Sequence, residues 1–154
     1  MQFSPRRDDP LFDSLQEVVR GLGMSLVELS VSRHKGSVRI HAAVYRKGIV
    51  GVADCSKVHH AILPRLELAF PDQDLYVEVA SPGIDRTIKD AAEFPLYVGR
   101  GVRCFRHDTS DWTAGVVVEA DENRVVLRGA SGLVELPYAV VAKAKLDYSQ
   151  EVED

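Results

Sequence analysis

The sequence predicts an α+β protein in which an α-β-β-α-β segment is followed by a region of short strands. In the first segment, apolar residues recur first at helical spacing, then at period two, and then in both patterns again. From residue 99 onward, brief β runs alternate with polar turns. We therefore expect a domain over residues 1–94, with helices packed on a three-stranded sheet, and an all-β small barrel with a short acidic tail over residues 95–154.

Apolar spacing predicts two helices in the first domain. Asp9 is a suitable N-cap and Pro10 a suitable first residue for the first helix, which ends near Gly21 and Gly23. Its apolar positions are Leu11, Leu15, Val18, Val19 and Leu22. The second helix follows Gly51, with apolar positions Val52, Cys55, Val58, Ile62 and Leu66. Pro64 is expected to kink or end this helix.

Three strands are predicted between and after these helices. Residues 26–32 and 38–45 alternate with period two and are joined by a turn that contains Gly36, so they should form a hairpin. On the second strand, Arg39, His41 and Tyr45 lie opposite the apolar positions, which predicts a basic face. Residues 75–80 form the third strand.

The second domain is predicted to contain five strands after a short helical or irregular joint at residues 90–98, which Pro95 interrupts. A hairpin turn is expected at Asp121, Glu122 and Asn123 because acidic and amide side chains favour turns. The predicted strands cover residues 102–107, 113–119, 124–128, 133–136 and 140–146.

The stretch YVEVASPGIDR, residues 76–86, is the strongest candidate for a functional turn. Pro82 restricts Ser81 to extended geometry, and Gly83 can take a positive φ, so the amides of Gly83 and Ile84 could point outward beside Arg86. This arrangement suits an anion such as phosphate. The alternatives are a tight turn with a solvated arginine, and a stiff turn that sets the angle between the domains.

The charge distribution adds candidate contacts for nucleic acid. The net charge is −4, which argues against binding through bulk positive charge. No acid occurs between Glu28 and Asp54 or between residues 94 and 107, and both windows are basic. Such residues form either a solvated face or phosphate contacts, and the residues alone leave both possibilities open. The candidates are Arg33, Lys35, Arg39, Arg46, Lys47, Arg103 and Arg106, together with Arg86 of the turn.

The sequence contains no familiar catalytic motif, and neither enzymatic activity nor a cofactor is expected. Cys55 and Cys104 lie far apart and outside any C-x-x-C pair, and the adjacent His59 and His60 would point about 100° apart on a helix, so no metal site is predicted. No apolar run is long enough to span a membrane, and the N-terminal residues lack the apolar block of a signal peptide. We therefore expect a cytoplasmic protein with no membrane partner.

Several segments together resemble the ribosome maturation factor RimP family. They are DCSKVHHAIL, LYVEVASPGIDRTI, GVVVEADENRVVL and VVAKAKL, in that order along the chain. The most specific part is Ser81, Pro82, Gly83 and Arg86, at the end of a predicted strand. Ala80 and Thr87 depart from the family's usual serine and proline, which bears on the geometry of the turn.

The resemblance implies that the C-terminal barrel is SH3-like or Sm-like. It also implies a bacterial, non-catalytic, monomeric factor for ribosome biogenesis that binds the immature small (30S) ribosomal subunit and assists its late maturation. The implied partners are 16S rRNA and the twelfth small-subunit ribosomal protein. A protein–protein adaptor, whose barrel binds a ribosomal protein without direct RNA contact, is the alternative.

Overall fold

The structure, a computed structural model, describes residues 1–4, 9–48, 50–83 and 85–151. The described residues fall into two compact units. The first unit contains residues 9–82, and the second contains residues 1–4 together with the described residues from Gly83 onward. The domain boundary that the sequence predicts between residues 94 and 95 stays a prediction, because it concerns which segments can fold independently.

The first unit has the predicted α-β-β-α-β order. Its three-stranded sheet has the order β1-β2-β3, with β1 antiparallel and β3 parallel to the central strand β2. One core of apolar side chains joins both helices to one face of this sheet. The bounds are α1 Pro10–Gly21, β1 Ser25–His34, β2 Ser37–Tyr45, α2 Val52–Ala69 and β3 Asp74–Ala80.

Helix α1 begins as the sequence predicts. The Oδ1 atom of Asp9 accepts a hydrogen bond of 3.1 Å from the backbone N–H of Phe12, which satisfies one of the unpaired amides of the first turn. Leu15 and Val19, one turn apart, are fully buried in the core. Capping and the apolar stripe therefore agree on both the start of the helix and its orientation.

Helix α2 does not end at Pro64, one of the two outcomes expected there, because it continues through this residue to Ala69. Pro64 lies on the exposed side of the helix, whereas Ile62 and Leu66 are buried. The carbonyl of His60, which loses its usual N–H donor, also belongs to an exposed residue. Solvent can reach this side of the helix, so the buried contacts on the other side maintain the helical path.

A β-bulge changes the predicted alternation of strand β1. The register with β2 shifts between Leu26 and Glu28, so that both Leu26 and Leu29 are buried in the core. Val31 lies further along the strand and is 39% exposed. Strict period two, which places residues 27, 29 and 31 on one buried face, therefore holds for only part of this strand.

The second unit contains a six-stranded antiparallel sheet with the order β4-β9-β5-β6-β7-β8. The five predicted strands correspond to β5–β9 within about two residues. The additional strand β4 pairs with β9, and the joint that was expected to be helical or irregular is a 3₁₀ helix, Ala91–Tyr97. The bounds are β4 Thr87–Ile88, β5 Gly101–Arg106, β6 Asp111–Ala120, β7 Arg124–Gly129, β8 Gly132–Pro137 and β9 Val141–Leu146.

The core of the second unit has a layer of stacked aromatic rings. Phe94 of the 3₁₀ helix is fully buried and stacks on Tyr138, with ring centroids 5.6 Å apart. Phe3 stacks on the same tyrosine at 6.2 Å. The N-terminal segment is held further by a 2.9 Å hydrogen bond from the N–H of Ala91 to the carbonyl of Gln2. Residues 1–4 thus belong to the second unit, which the sequence pattern did not indicate.

Candidate nucleic-acid interface

Arg86, at the end of the S-P-G turn, lies in a buried polar network. Its Nε donates to the Oε1 atom of Glu93 at 2.9 Å, and both side chains are only 9% exposed. Glu93 also accepts hydrogen bonds from the hydroxyl of Tyr97 at 2.9 Å and from the backbone N–H of Lys89 at 3.0 Å. Burial first, and then the charge of Glu93, raises the pKa of Tyr97. This network links Arg86 to the 3₁₀ helix of the same unit.

The turn itself differs from the expected phosphate cradle. Gly83 does not have the positive φ that would make glycine necessary there. Its carbonyl accepts a 3.1 Å hydrogen bond from the N–H of Arg86. Ile84, whose amide was expected to contribute to the cradle, lies outside the described residues. With Arg86 buried beside a carboxylate, the geometry favours a structural role for Ser81, Pro82, Gly83 and Arg86.

Two further arginines of the predicted interface make ion pairs with nearby carboxylates. Arg46 contacts both carboxylate oxygens of Asp54, at 3.1 and 2.9 Å, and Asp54 also accepts from the N–H of Gly51 at 3.0 Å. The Gly51 amide first, and then Arg46, lowers the pKa of Asp54. Arg106 binds Asp108 in the same bidentate way, at 3.1 and 2.8 Å. These pairs support the start of helix α2 and the end of strand β5.

The basic residues of the hairpin lie on different faces of the sheet. The guanidinium of Arg33 lies 5.1 Å from the ring centroid of Phe70, a residue of the core beneath the helices. Arg39 pairs in register with Tyr76 of β3 and lies 5.9 Å from its ring centroid. Since Phe70 belongs to the helix-covered core and Tyr76 is 58% exposed, Arg33 does not share the face that carries Arg39.

The remaining two candidates are exposed lysines. Lys35 lies in the two-residue turn between β1 and β2, and Lys47 follows strand β2. Arg39 is also exposed, on the open face of the sheet. Among the described candidates of the first unit, Arg33, Lys35, Arg39 and Lys47 are therefore the exposed cations, whereas Arg46 is half-buried beside Asp54.

Arg103 belongs to a cluster on the second unit that the sequence analysis did not recognise. Its guanidinium carbon lies 5.2 Å from the ring centroid of Trp112. Trp112 meets Phe105 edge to face, with centroids 5.3 Å apart, and the Nζ atom of Lys143 lies 5.5 Å from both rings. The sequence contains an indication of this cluster. Arg103 and Phe105 alternate with the apolar residues Val102 and Cys104 along one strand, so they lie on the face opposite to the core.

Other kinds of site have less support. No group of three or more histidine, cysteine or acidic residues in the described part of the chain is placed to hold a metal ion. Cys104 is fully buried, and burial raises the pKa of its thiol to about 12. Within the described residues, no helix has the length and apolar content needed to cross a membrane.

The fold and these surfaces define a small two-unit α+β protein with exposed cations. Residues 14–85 match the family model of the RimP N-terminal domain. The resemblance to the RimP family is thereby confirmed, since this segment is similar to the N-terminal domain of that family.

Curated relatives extend the similarity over most of the chain. The chain is 26% identical over 136 residues to the ribosome maturation factor RimP of Borrelia recurrentis (strain A1), and likewise 26% identical to that of Borrelia hermsii (strain HS1 / DAH). It is 25% identical to the RimP of Borrelia turicatae (strain 91E135). Each alignment covers 88% of this chain and 93% of the relative.

Proposed function

We propose that this protein is a non-catalytic assembly factor that binds the immature small (30S) ribosomal subunit and assists its late maturation. The observation that carries the proposal is the similarity to RimP proteins over 88% of the chain. In this proposal, its partners are 16S rRNA and the twelfth small-subunit ribosomal protein, and it acts in the cytoplasm as a monomer. The six-stranded sheet is proposed to be an SH3-like barrel.

Within this proposal, phosphate contacts come mainly from exposed cations. Lys35, Arg39 and Lys47 are exposed in the first unit and can reach an anionic polymer. Arg46, Arg86 and Arg106 already contact carboxylates, so they act by fixing local structure. Phosphate contacts are largely independent of sequence and weaken as salt displaces them.

Co-sedimentation with immature and mature small subunits tests the maturation role. We expect more protein to co-sediment with the immature particle than with the mature one. Failure to co-sediment with either particle would contradict the proposal. The association constant should fall with rising salt, by roughly 0.7–0.9 logarithmic units per logarithmic unit of salt for each phosphate contact.

A pair of charge-matched variants tests the RNA-contacting surface. Lys35→Ala with Lys47→Ala should weaken binding to the immature particle and reduce its salt dependence. Arg20→Ala with Lys57→Ala removes the same charge from exposed positions on the two helices and should leave binding nearly unchanged. Equal losses from both double variants would indicate that only net charge matters.

A protein–protein adaptor is the second candidate function, and the edge of the six-stranded sheet favours it. Strand β8 is the last strand of the sheet formed by the described residues, and its Leu133 is 67% exposed. A strand from a partner protein could add to such an edge. Binding to free ribosomal protein, together with no measurable affinity for RNA, would favour this candidate over the first.

A further inference from the structure

The outward face of strands β9, β5 and β6 carries a compact group of aromatic and cationic side chains. In the sheet register, Trp112 is opposite Phe105 and Phe105 is opposite Lys143. Two residues along, Arg103 is opposite Lys145. Because side chains two residues apart share a face, these five residues form one surface, which we call the aromatic–cationic face.

The opposite face of the same strands is buried. Val102 and Cys104 of β5 are fully buried, and Ala144 and Leu146 of β9 are 2% and 3% exposed. The alternation therefore directs the aromatic–cationic face outward, where Trp112 is 42% exposed. The rings of Phe105 and Trp112 lie on the solvent side of the sheet, so they do not help to fill the core of this unit.

A ligand can displace Lys143 from this face, because only weak contacts hold the lysine to the two aromatic rings. Lys143 is exposed, and its Nζ lies 5.5 Å from the ring centroids of both Phe105 and Trp112. A cation–π contact at an exposed site is weaker than the stacking of a nucleobase on an aromatic ring. An arriving base can therefore take the place of the lysine, and the freed ammonium group can then pair with the adjoining phosphate.

The local charge favours an anionic ligand. Arg103, Lys143 and Lys145 contribute three positive charges to the face. Arg103 also lies near Asp147, whose pKa is lowered first by a hydrogen bond from Ser149 and in smaller part by Arg103. The single negative charge of Asp147 does not cancel these three positive charges, so the face stays net positive. The Nε atom of Arg103 is buried without a hydrogen-bond partner among the described residues.

We propose that the aromatic–cationic face is a binding site for single-stranded RNA, with a base stacked against Trp112 and Phe105 and phosphates paired with Arg103, Lys143 and Lys145. Unpaired RNA combines the two features that the face matches, since its bases have exposed flat surfaces and its backbone is anionic. A duplex presents the charge but keeps its bases stacked internally. The proposal rests on the RNA-contacting function proposed above and assigns part of it to the second unit.

The single tryptophan of the chain makes this proposal directly testable, because Trp112 is the only source of indole fluorescence. Titration of the full chain with oligouridylate of about 12 nucleotides should quench this fluorescence. Polyphosphate of similar charge and duplex RNA should quench much less. Equal quenching and affinity with polyphosphate would overturn base stacking, and tighter binding of an acidic peptide than of RNA would indicate a protein ligand instead.

Variants then separate stacking from charge. Trp112→Leu should weaken oligouridylate binding, measured by anisotropy of the labelled RNA, about 5- to 100-fold, whereas Trp112→Phe should retain most of the affinity. Lys143→Gln should reduce the salt slope by about one contact. Circular dichroism melts verify that each variant is folded, and unchanged affinity in folded Trp112→Leu would overturn the proposal.

The two proposals fail in distinguishable ways. If Trp112→Leu binds RNA normally while the wild type still enriches on immature small subunits, the site assignment is wrong and the proposed function stands. If the wild type does not bind the small subunits while Trp112→Leu loses oligouridylate binding, the site assignment stands and the maturation role is wrong.

Discussion

The Nε atom of Arg86 lies 2.9 Å from the Oε1 atom of Glu93, and each side chain is only 9% exposed. In the same unit, the carbonyl of Arg86 accepts a 2.9 Å hydrogen bond from the N–H of Leu146. One residue therefore connects the 3₁₀ helix and the last strand of this unit. This position explains why an arginine is used there without requiring an RNA ligand.

Breaking this pair on one side should be costly. Glu93→Leu leaves the Arg86 charge buried without its carboxylate, and we expect the free energy of unfolding to fall by about 3–5 kcal/mol. Urea denaturation followed by circular dichroism measures the change. A loss below about 1 kcal/mol would show that solvent compensates Arg86, contrary to its low exposure.

The double variant Arg86→Met with Glu93→Leu is the matched control for the same network. It removes both charges, so it should recover most of the lost stability. It should also bind small subunits as the wild type does, because Arg86 is assigned a structural role. A folded double variant with strongly reduced particle binding would restore Arg86 as a direct phosphate contact.

Local patterns were sufficient to predict most elements of the fold. Apolar spacing and the Asp9–Pro10 pair located helix α1, and period-two alternation located the strands. Strand β4 has only two residues, Thr87–Ile88, and is too short to show alternation. The place of residues 1–4 depends on the stacking of Phe3 on Tyr138, a contact between distant parts of the chain that no local pattern records.

The candidate site was less predictable because the sequence shows which residues are charged but does not show which residues lie beside them in the fold. Arg46 was grouped with Lys47 as a phosphate contact, yet it binds Asp54, eight residues further along the chain. Trp112 and Lys143 lie 31 residues apart and meet only because β6 and β9 both flank β5. Register and pairing, which depend on the whole sheet, decide which cations are exposed and which are paired.

The contribution of Asp54 to stability should depend on pH in a defined direction. Its pKa is lowered from 3.8 in the folded protein, first by the Gly51 amide and then by Arg46. The stabilisation is therefore present above its ordinary pKa and is lost as pH falls through the folded value. Asp54→Asn should be less stable than the wild type near pH 7, and the urea midpoints should begin to converge only as pH falls below 3.8, towards the lowered pKa of the folded protein. A constant difference down to about pH 2 would contradict this assignment.

The second variant for the same cap is Arg46→Met. Since the Gly51 amide is the larger cause of the lowered pKa, this change should reduce the pH dependence without removing it. Complete loss of the pH dependence would show that the ion pair, and not the backbone hydrogen bond, stabilises the ionised form of Asp54.

The buried thiol offers a measure of how tightly the second unit is packed. Burial raises the pKa of Cys104 to about 12, so little thiolate exists near pH 8. In the variant Cys55→Ser, which retains only this thiol, reaction with a disulfide reagent should be about 1,000-fold slower than for an unfolded peptide thiol or slower still. Unfolding in urea should restore the ordinary rate, and fast reaction of the folded protein would reveal frequent local opening.

Gly115 reports the close approach of β6 and β7. A Cβ atom at this position would lie 2.7 Å from the carbonyl oxygen of Arg128, a backbone atom that cannot move independently of its strand. We therefore expect Gly115→Ala to lower the free energy of unfolding by about 1–3 kcal/mol, measured by urea denaturation. Gly21→Ala is the control, because a Cβ at the end of helix α1 meets nothing within 4 Å and alanine favours the helix. Equal stability of the two variants would mean that the sheet relaxes around residue 115 without cost.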